Sequence, residues 1–301
     1  MPPDTKPTAI FARHETFHPR FGWLKKGYDK AQIDPQIFLR DDAPIRLGVG
    51  KNMVRSIRYW CTAFHVLEES DRTLTATSFG QHLLGDQGYD PFLEDPASLW
   101  LLHWSLLKPP CLATAWDIAF NQFPRLEFSS DELFLALCDY RDTLGIRIAD
   151  SSLRKDVTCL LRMYTAPDRR TNLTEDAIDC PFTGLHLLYE AGQSKRYEFQ
   201  MGPKDGLPAA IIVATCLDFV SQSSLQAGSI ALSRLAFDPG SPGMVFKLTE
   251  GAIATAIEAI ALHQPQLKLS TGAGLMQFQY PNRPDHLAQS LLDQHYQPSR
   301  D

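Results

Sequence analysis

The feature that most constrains this chain is DPASLWLLHWSLLKPP, residues 95–110. Asp95 has the short carboxylate that caps a helix and Pro96 suits a first turn, while Pro109 and Pro110 end the run. Between these limits Leu99–Leu107 is apolar nearly all the way round. A helix with no polar face has no side to give to water, so other elements must enclose it. It is far shorter than the roughly 20 apolar residues that span a bilayer, and no apolar run in the chain approaches that length. The segment therefore belongs near the centre of a core, and no membrane is expected.

The rest of the chain is read around it. At 301 residues it is long enough for two or three domains. Helices are expected at Ala113–Phe123, at Asp131–Leu144 behind the cap residues SSDE, and at Ser152–Tyr164 behind IADS. The polar, proline-bounded TAPDRRTNLTEDAIDCP reads as a connector. Beyond it LHLLYE and RYEFQM read as short strands, Leu207–Ser221 and Ser229–Phe237 as helices, and GSPGMVFKL as a turn with an extended piece. Thr249 and Glu250 open a helix to about Leu262, and LKLSTGAGLMQFQY reads as a hairpin turning at Thr271–Gly274. The expected fold is mainly α with short β hairpins, an α+β class. It divides into a winged helix-turn-helix DNA-binding domain over 1–85, a helical middle domain and connector over 86–175, and a C-terminal winged-helix-like domain over 176–301.

The winged-helix reading rests on LGVGKNMVRSIRYW, Leu47–Trp60. GVGKN imitates a phosphate-binding loop, but Lys51 is followed by Asn52 and Met53 rather than by the Ser or Thr that ligates magnesium, and Gly48 is too near Gly50 to wrap a diphosphate. No nucleotide or organic cofactor is therefore expected. Read as a helix, the stretch puts Lys51, Arg55 and Arg58 on one narrow face. Met53, Ile57, Trp60, Cys61 and Phe64 lie on the other, with Val54 at the border. Shorter helices around Pro19–Gly27 and Pro35–Leu39 precede it, and an extended Thr73–Thr77 follows. In a winged helix the third helix enters the major groove and flanking cations meet phosphates. Lys51, Asn52, Arg55 and Arg58 are the expected DNA contacts, with Arg20, Lys25 and Lys26 nearby on the backbone. A solvated charged face or a protein-docking module are the plainer alternatives. The C-terminal counterpart, TEGAIATAIEAIAL, has two glutamates and no cation, so it is expected to face protein.

The charge distribution agrees. Net charge is −6, yet residues 1–70 hold 11 Lys+Arg against 8 Asp+Glu. A basic module on an acidic body suits local nucleic-acid contact. The six cysteines form no CxxC pair, and Cys159, Cys180 and His186 lack the spacing of a zinc module. With no signal-peptide core in MPPDTKPTAIFARHE, a reduced cytoplasmic location is expected.

Candidate chemistry is sparse. His14 and Glu15 in RHETFHPR have the side-chain types of general acid–base catalysis, although Pro19 disfavours a helical metal pair of His14 and His18. Asp90 and Glu94 in YDPFLEDP can bind Mg²⁺ or Mn²⁺ for phosphodiester cleavage, against a turn-and-cap reading that the spacing favours. Asp150 and Asp156 around Arg154 and Lys155 suit a nuclease site or a salt-bridged helix start. No complete nuclease motif, Ser-His-Asp signature or Rossmann fingerprint is present.

HETF (14–17), GWLKKG (22–27), LGVGKNMVRSIRYW (47–60), DPFLEDPASLWLLHW (90–104), LRKDV (153–157) and GSPGMVFKLTE (240–250) together resemble a bacterial domain-of-unknown-function family of DNA phosphorothioation clusters, nearly end to end. The likeness is to the B component, a DNA nickase, of the single-strand (Ssp-type) system. It implies a DNA-nicking endonuclease in phage defence. It also implies work beside a cysteine desulfurase, an ATPase and an ATP-pyrophosphatase-like sulfurtransferase that replace a non-bridging phosphate oxygen with sulfur. The resemblance assigns no catalytic residues. The alternative is a non-catalytic DNA-binding adaptor recruiting those enzymes. An extended edge in the C-terminal hairpin would suit a homodimer.

Overall fold

In the computed structural model, residues 9–166, 180–191, 195–222, 228–272 and 274–297 are described. Helix dominates, at 54% against 12% strand, as a mainly α chain with short hairpins requires. The central helix runs Pro96–Leu107, and every residue from Ala97 to Leu107 is buried. Its N-terminus is capped by the Asp95 carboxylate, which accepts from the Ala97 amide at 2.8 Å. His103, inside this helix, is held from both sides by the Tyr164 hydroxyl at 2.8 Å and the Val245 carbonyl at 2.9 Å. A carbonyl only accepts, so Nε2 carries the proton and Nδ1 takes the hydroxyl hydrogen. Burial lowers the His103 pKa to about 3, so the ring is a neutral strut.

Three groups of elements share one connected core with that helix. In the first, α1 (Trp23–Ile33), a 3₁₀ turn (Ile37–Leu39), α2 (Ala43–Leu47) and α3 (Lys51–Ala63) lead into an antiparallel hairpin. Its strands are β1 (Leu67–Ser70) and β2 (Thr73–Ala76), with Leu67 opposite Ala76, and α4 (Ser78–Leu84) follows. The central helix is α5. Gly27 lets α1 and α3 approach closely, because a Cβ there would lie 2.4 Å from the Cys61 Sγ and 2.9 Å from the Ile57 Cγ2.

In the second group α6 (Thr114–Asp117) winds into a π turn (Ile118–Gln122). Then come β3 (Glu127–Ser129), α7 (Ser130–Thr143), α8 (Asp150–Tyr164), β4 (Leu188–Ala191) and β5 (Arg196–Phe199). Ser129 and Glu132 close a capping box on α7, as the SSDE signature requires. The sheet order is β3-β5-β4, with Phe128 opposite Tyr197, so it joins residues on both sides of the expected boundary at 175. Of the expected connector, residues 167–179 lie outside the described residues.

The third group is α9 (Ala209–Gln222), β6 (Ser229–Ala231), α10 (Leu232–Phe237), α11 (Pro242–Phe246), α12 (Glu250–Ala261), β7 (Lys268–Gly272), β8 (Leu275–Gln279) and α13 (Pro284–Tyr296). Its sheet order is β6-β8-β7. Ala273, in the expected hairpin turn, lies outside the described residues.

Several expectations need correction. The first helix begins at Trp23, not Pro19, because Gly22 adopts a left-handed φ of 74°. GSPGMVFKL is not extended: Ser241 accepts from the Met244 amide and Pro242 takes the first turn of α11. Ser229–Ala231 is strand, not helix, since Ile230 finds a partner in Phe278. No membrane-spanning helix occurs among the described residues.

Lys247 is buried at the end of α11, where its ammonium donates to the Phe120 carbonyl at 2.6 Å. Burial lowers its pKa to about 7. Between that value and the unfolded pKa of about 10.4 the unfolded chain holds the extra proton, so this side chain contributes stability that rises with pH. The Tm difference between wild type and Lys247→Met should therefore move in favour of wild type from pH 7 to pH 9.5. A difference independent of pH would contradict the buried-amine account.

Candidate nucleic-acid interface

The opening of α3 follows from its glycines. α2 ends on Gly48 in the left-handed region, φ 68° and ψ 35°, and Gly50 is extended as the N-cap of α3. GVGKN is thus a turn between two helices. No side chain caps the amides of the first turn of α3, so the positive end of the helix dipole faces outward beside Lys51 and Asn52. Val54, Ser56, Ile57, Trp60, Cys61 and Ala63 are buried. Val54 is therefore core rather than border, and Met53 is only half-buried. Lys51, Asn52 and Arg55 are exposed and Arg58 is half-buried on the opposite side, as the 3.6-residue period requires.

The approach to α3 is held by Asp34. Its carboxylate accepts from Arg40, from Arg46 at 2.8 Å and from the Gln36 amide at 3.1 Å. The hydrogen bond from Arg40 leads in lowering the Asp34 pKa to about 2. Arg40 and Arg46 are consequently paired with Asp34 at the surface. Arg55 lies 3.7 Å from Glu15, and Arg58 donates to Glu69 on β1. These four, with Arg13 and Tyr59, border a cavity of about 620 Å³. Lys51 and Asn52 have no side-chain partner among the described residues. Lys26 donates to the Leu47 carbonyl at 3.2 Å, at the foot of the same approach. Lys25 pairs with Asp29 at 2.7 Å and Arg20 lies over the rings of Phe17 and Trp23. The structure thus gathers Lys51, Asn52, Arg55 and Arg58 on one face and gives Arg20 and Lys25 local partners. Arg13, exposed beside this face, was legible only as a lone cation.

His14 is fully buried, so it does not meet a surface phosphodiester. Its Nδ1 accepts from the Thr16 amide at 3.1 Å, which leaves the proton on Nε2 for Asp156 Oδ1 at 2.8 Å. The ring stacks on Trp60 and meets the edge of Trp116. Asp156 also accepts from the Ala12 amide at 3.0 Å. Burial is the first cause that raises the Asp156 pKa, with the His14 hydrogen bond opposing it. Ala12, Glu15 and Thr16 all have left-handed φ, between 51° and 71°. This pair therefore pins a strained segment to α3 and α8, and Glu15 remains at its rim.

Asp90 is also buried. It accepts from the Glu94 amide at 2.9 Å, the Asp95 amide at 2.9 Å and the Ser98 hydroxyl at 2.7 Å, which organises the entry to α5. Glu94 is exposed and contributes its amide rather than its carboxylate. The turn-and-cap reading describes both residues. Among the described residues no three His, Cys, Asp or Glu side chains converge on a point where they could hold a metal. The described residues do not form a ready-made cage for Mg²⁺ or Mn²⁺. Cys159 and Cys180 are buried, and burial pushes the Cys180 thiol up to about 12, so neither is poised as a thiolate ligand.

A predominantly helical α+β protein with an exposed cationic helix face is the class that fold and site define. The chain belongs to the family described as "Protein of unknown function (DUF4007)", whose model matches residues 11–296. Among solved structures it is similar to a magnesium ion-bound SspB crystal structure at 39% identity and TM-score 0.90, covering 96% of this chain and 88% of that one. A second SspB crystal structure matches at 39% identity and TM-score 0.89 over the same shares. No curated protein matches the chain. The motifs from HETF to GSPGMVFKLTE thus identified the family correctly, and the protein is SspB-like.

Asp156→Ala removes the acceptor from two buried donors and should destabilise the fold by about 1–3 kcal/mol for each orphaned donor in urea titration. Asp156→Asn, which keeps an acceptor oxygen, should cost less. Equal stability of Asp156→Ala and wild type would remove the pair from its structural role.

Proposed function

We propose that this protein binds duplex DNA on the exposed face of α3 and, within a DNA phosphorothioate-modification and phage-defence system, nicks the backbone for sulfur incorporation. The likeness to SspB associates the chain with that system. The observation that carries the DNA reading is the set Lys51, Asn52, Arg55 and Arg58 on one face of a helix whose uncapped N-terminus points the same way. α1, α2, α3 and the β1–β2 hairpin follow the order of a winged helix-turn-helix. In that geometry Asn52 reads a base edge while Lys51, Arg55 and Arg58 neutralise phosphates. A phosphate arriving at Arg55 or Arg58 competes with Glu15 and Glu69 for the guanidinium, so binding is coupled to release of two weak surface pairs. Arg20, Lys25 and Lys26 flank the approach.

Nicking is the activity the family resemblance implies, and magnesium is bound in the related SspB structure. Glu15 and Glu94 are the carboxylates of the candidate set left at the surface. The internal hydrogen bonds of His14 and Asp90 favour a second reading, a non-catalytic adaptor that holds DNA for the cysteine desulfurase, ATPase and ATP-pyrophosphatase-like sulfurtransferase. α12 suits a protein partner or a second copy: it exposes Thr255 and Glu258 and carries no cation.

Purified protein should convert supercoiled plasmid to open circle with Mg²⁺ or Mn²⁺, and a gel shift on the same DNA should detect binding. Lys51→Ala and Arg55→Ala should each reduce the slope of log K against log salt by about 0.9. Binding without nicking selects the adaptor, and no binding overturns the DNA reading.

A further inference from the structure

The second group of elements has an order related to that at α3, with a strand added after its first helix and a 3₁₀ helix, Pro181–Leu185, before its hairpin. α6 and its π turn, β3, α7, α8 and the β4–β5 hairpin run helix, strand, helix, helix, hairpin, and β3 pairs with the last strand. In this order α8 holds the place of the groove-entering helix and β4–β5 that of the wing. The exposed residues of α8 are Asp150, Ser151, Arg154, Lys155, Thr158 and Arg162, which at about 100° per residue form one continuous stripe with Asp150 at its edge. Leu153, Asp156, Val157 and Leu160 are buried on the other side.

The stripe is cationic in a way that internal pairing does not explain. Lys155 and Arg162 have no ion-pair partner among the described residues, and neither has Lys195, exposed beside the first residue of β5. Arg154 lies over the Phe134 ring at 3.8 Å and 3.1 Å from the exposed Asp131. Asp150, the acid at the start of α8, is matched by Arg141 at 2.5 Å, so it does not cancel the stripe. The equivalent helix of the third group, α12, exposes a glutamate and no cation. Placement in such a unit therefore does not by itself make a helix basic.

The buried side of α8 is fastened to the segment that borders the α3 face. Asp156, one position beyond Lys155, grips the amide of Ala12 and the ring of His14. Arg13, exposed between those two residues, borders the same cavity as Arg55 and Arg58. The fold thus ties α8, the helix that carries Lys155 and Arg162, to the segment that bears Arg13 beside Arg55 and Arg58.

We propose that α8 and its hairpin are a second duplex-DNA contact, with Lys155, Arg162 and Lys195 gripping the phosphodiester backbone beyond the segment held by α3. The proposal rests on the DNA-binding reading of the protein and extends its footprint. Repeated, regularly spaced negative charge is the ligand chemistry such a stripe matches.

The test is fluorescence anisotropy of the full chain with a 30-bp duplex across a KCl series. The Lys155→Ala/Arg162→Ala variant should lose close to two phosphate contacts, lowering the log K against log salt slope by about 1.8. Adding Lys51→Ala should lower it further. Lys268→Ala, on the exposed strand β7, should match wild type. Lys155→Glu alone should weaken binding at every salt concentration, which covers any loss of folding in the double variant. If both α8 variants keep the wild-type slope while Lys51→Ala reduces it, the α8 contact is overturned and the α3 reading stands. If wild type does not bind the duplex, both fall.

Discussion

The pair of His14 and Asp156 is the joint on which this structure turns. A buried carboxylate and a buried imidazole satisfy each other at 2.8 Å, and the remaining hydrogen-bonding positions go to the amides of Ala12 and Thr16. Through that one contact the segment 10–18 is fastened to α8. Through Trp60, whose indole donates to the Phe17 carbonyl at 2.9 Å, it is fastened to α3. The left-handed residues of this segment cost about 1–3 kcal/mol each, so they persist only because the pair and the stacked tryptophans over-determine them.

The joint explains a division of labour among the polar groups. Groups with strong internal partners, such as Asp90, His103 and Asp34, build the frame. The cations without such partners, Lys51, Lys155 and Arg162, lie on the exposed faces of two helices that the joint holds together. A protein of net charge −6 can present a basic face on α3 in this way, because 11 of its 29 Lys+Arg fall within residues 1–70 against 8 of its 35 Asp+Glu.

The helix faces were legible in the sequence because a 3.6-residue period reports which side is buried. Their spacing alone separates Lys51, Arg55 and Arg58 from Ile57, Trp60 and Cys61. The roles of His14 and Asp90 were not legible. An imidazole beside a glutamate, or two acids four residues apart, suits chemistry and structure equally until the partners are known, and those partners are Asp156, 142 residues away, and Ser98. Strand β6 was read as helix for the same reason, since three residues carry no period and Ser229–Ala231 is extended only because β8 lies beside it. The sheet β3-β5-β4 likewise depends on a pairing between residues 67 to 71 apart, which local propensity does not encode.

By itself the sequence determined the burial of α5, the two-faced character of α3, the caps at Asp95 and Ser129, and membership of the family. Each is local or cumulative along the chain: a period, a cap, a set of ordered motifs. Tertiary structure alone decided which acids are structural, which cations are left unpaired, and that α8 stands in a unit ordered like the one around α3. Those outcomes depend on which distant group reaches a charge first, and a buried charge or donor must be satisfied by whatever the fold brings within hydrogen-bond distance.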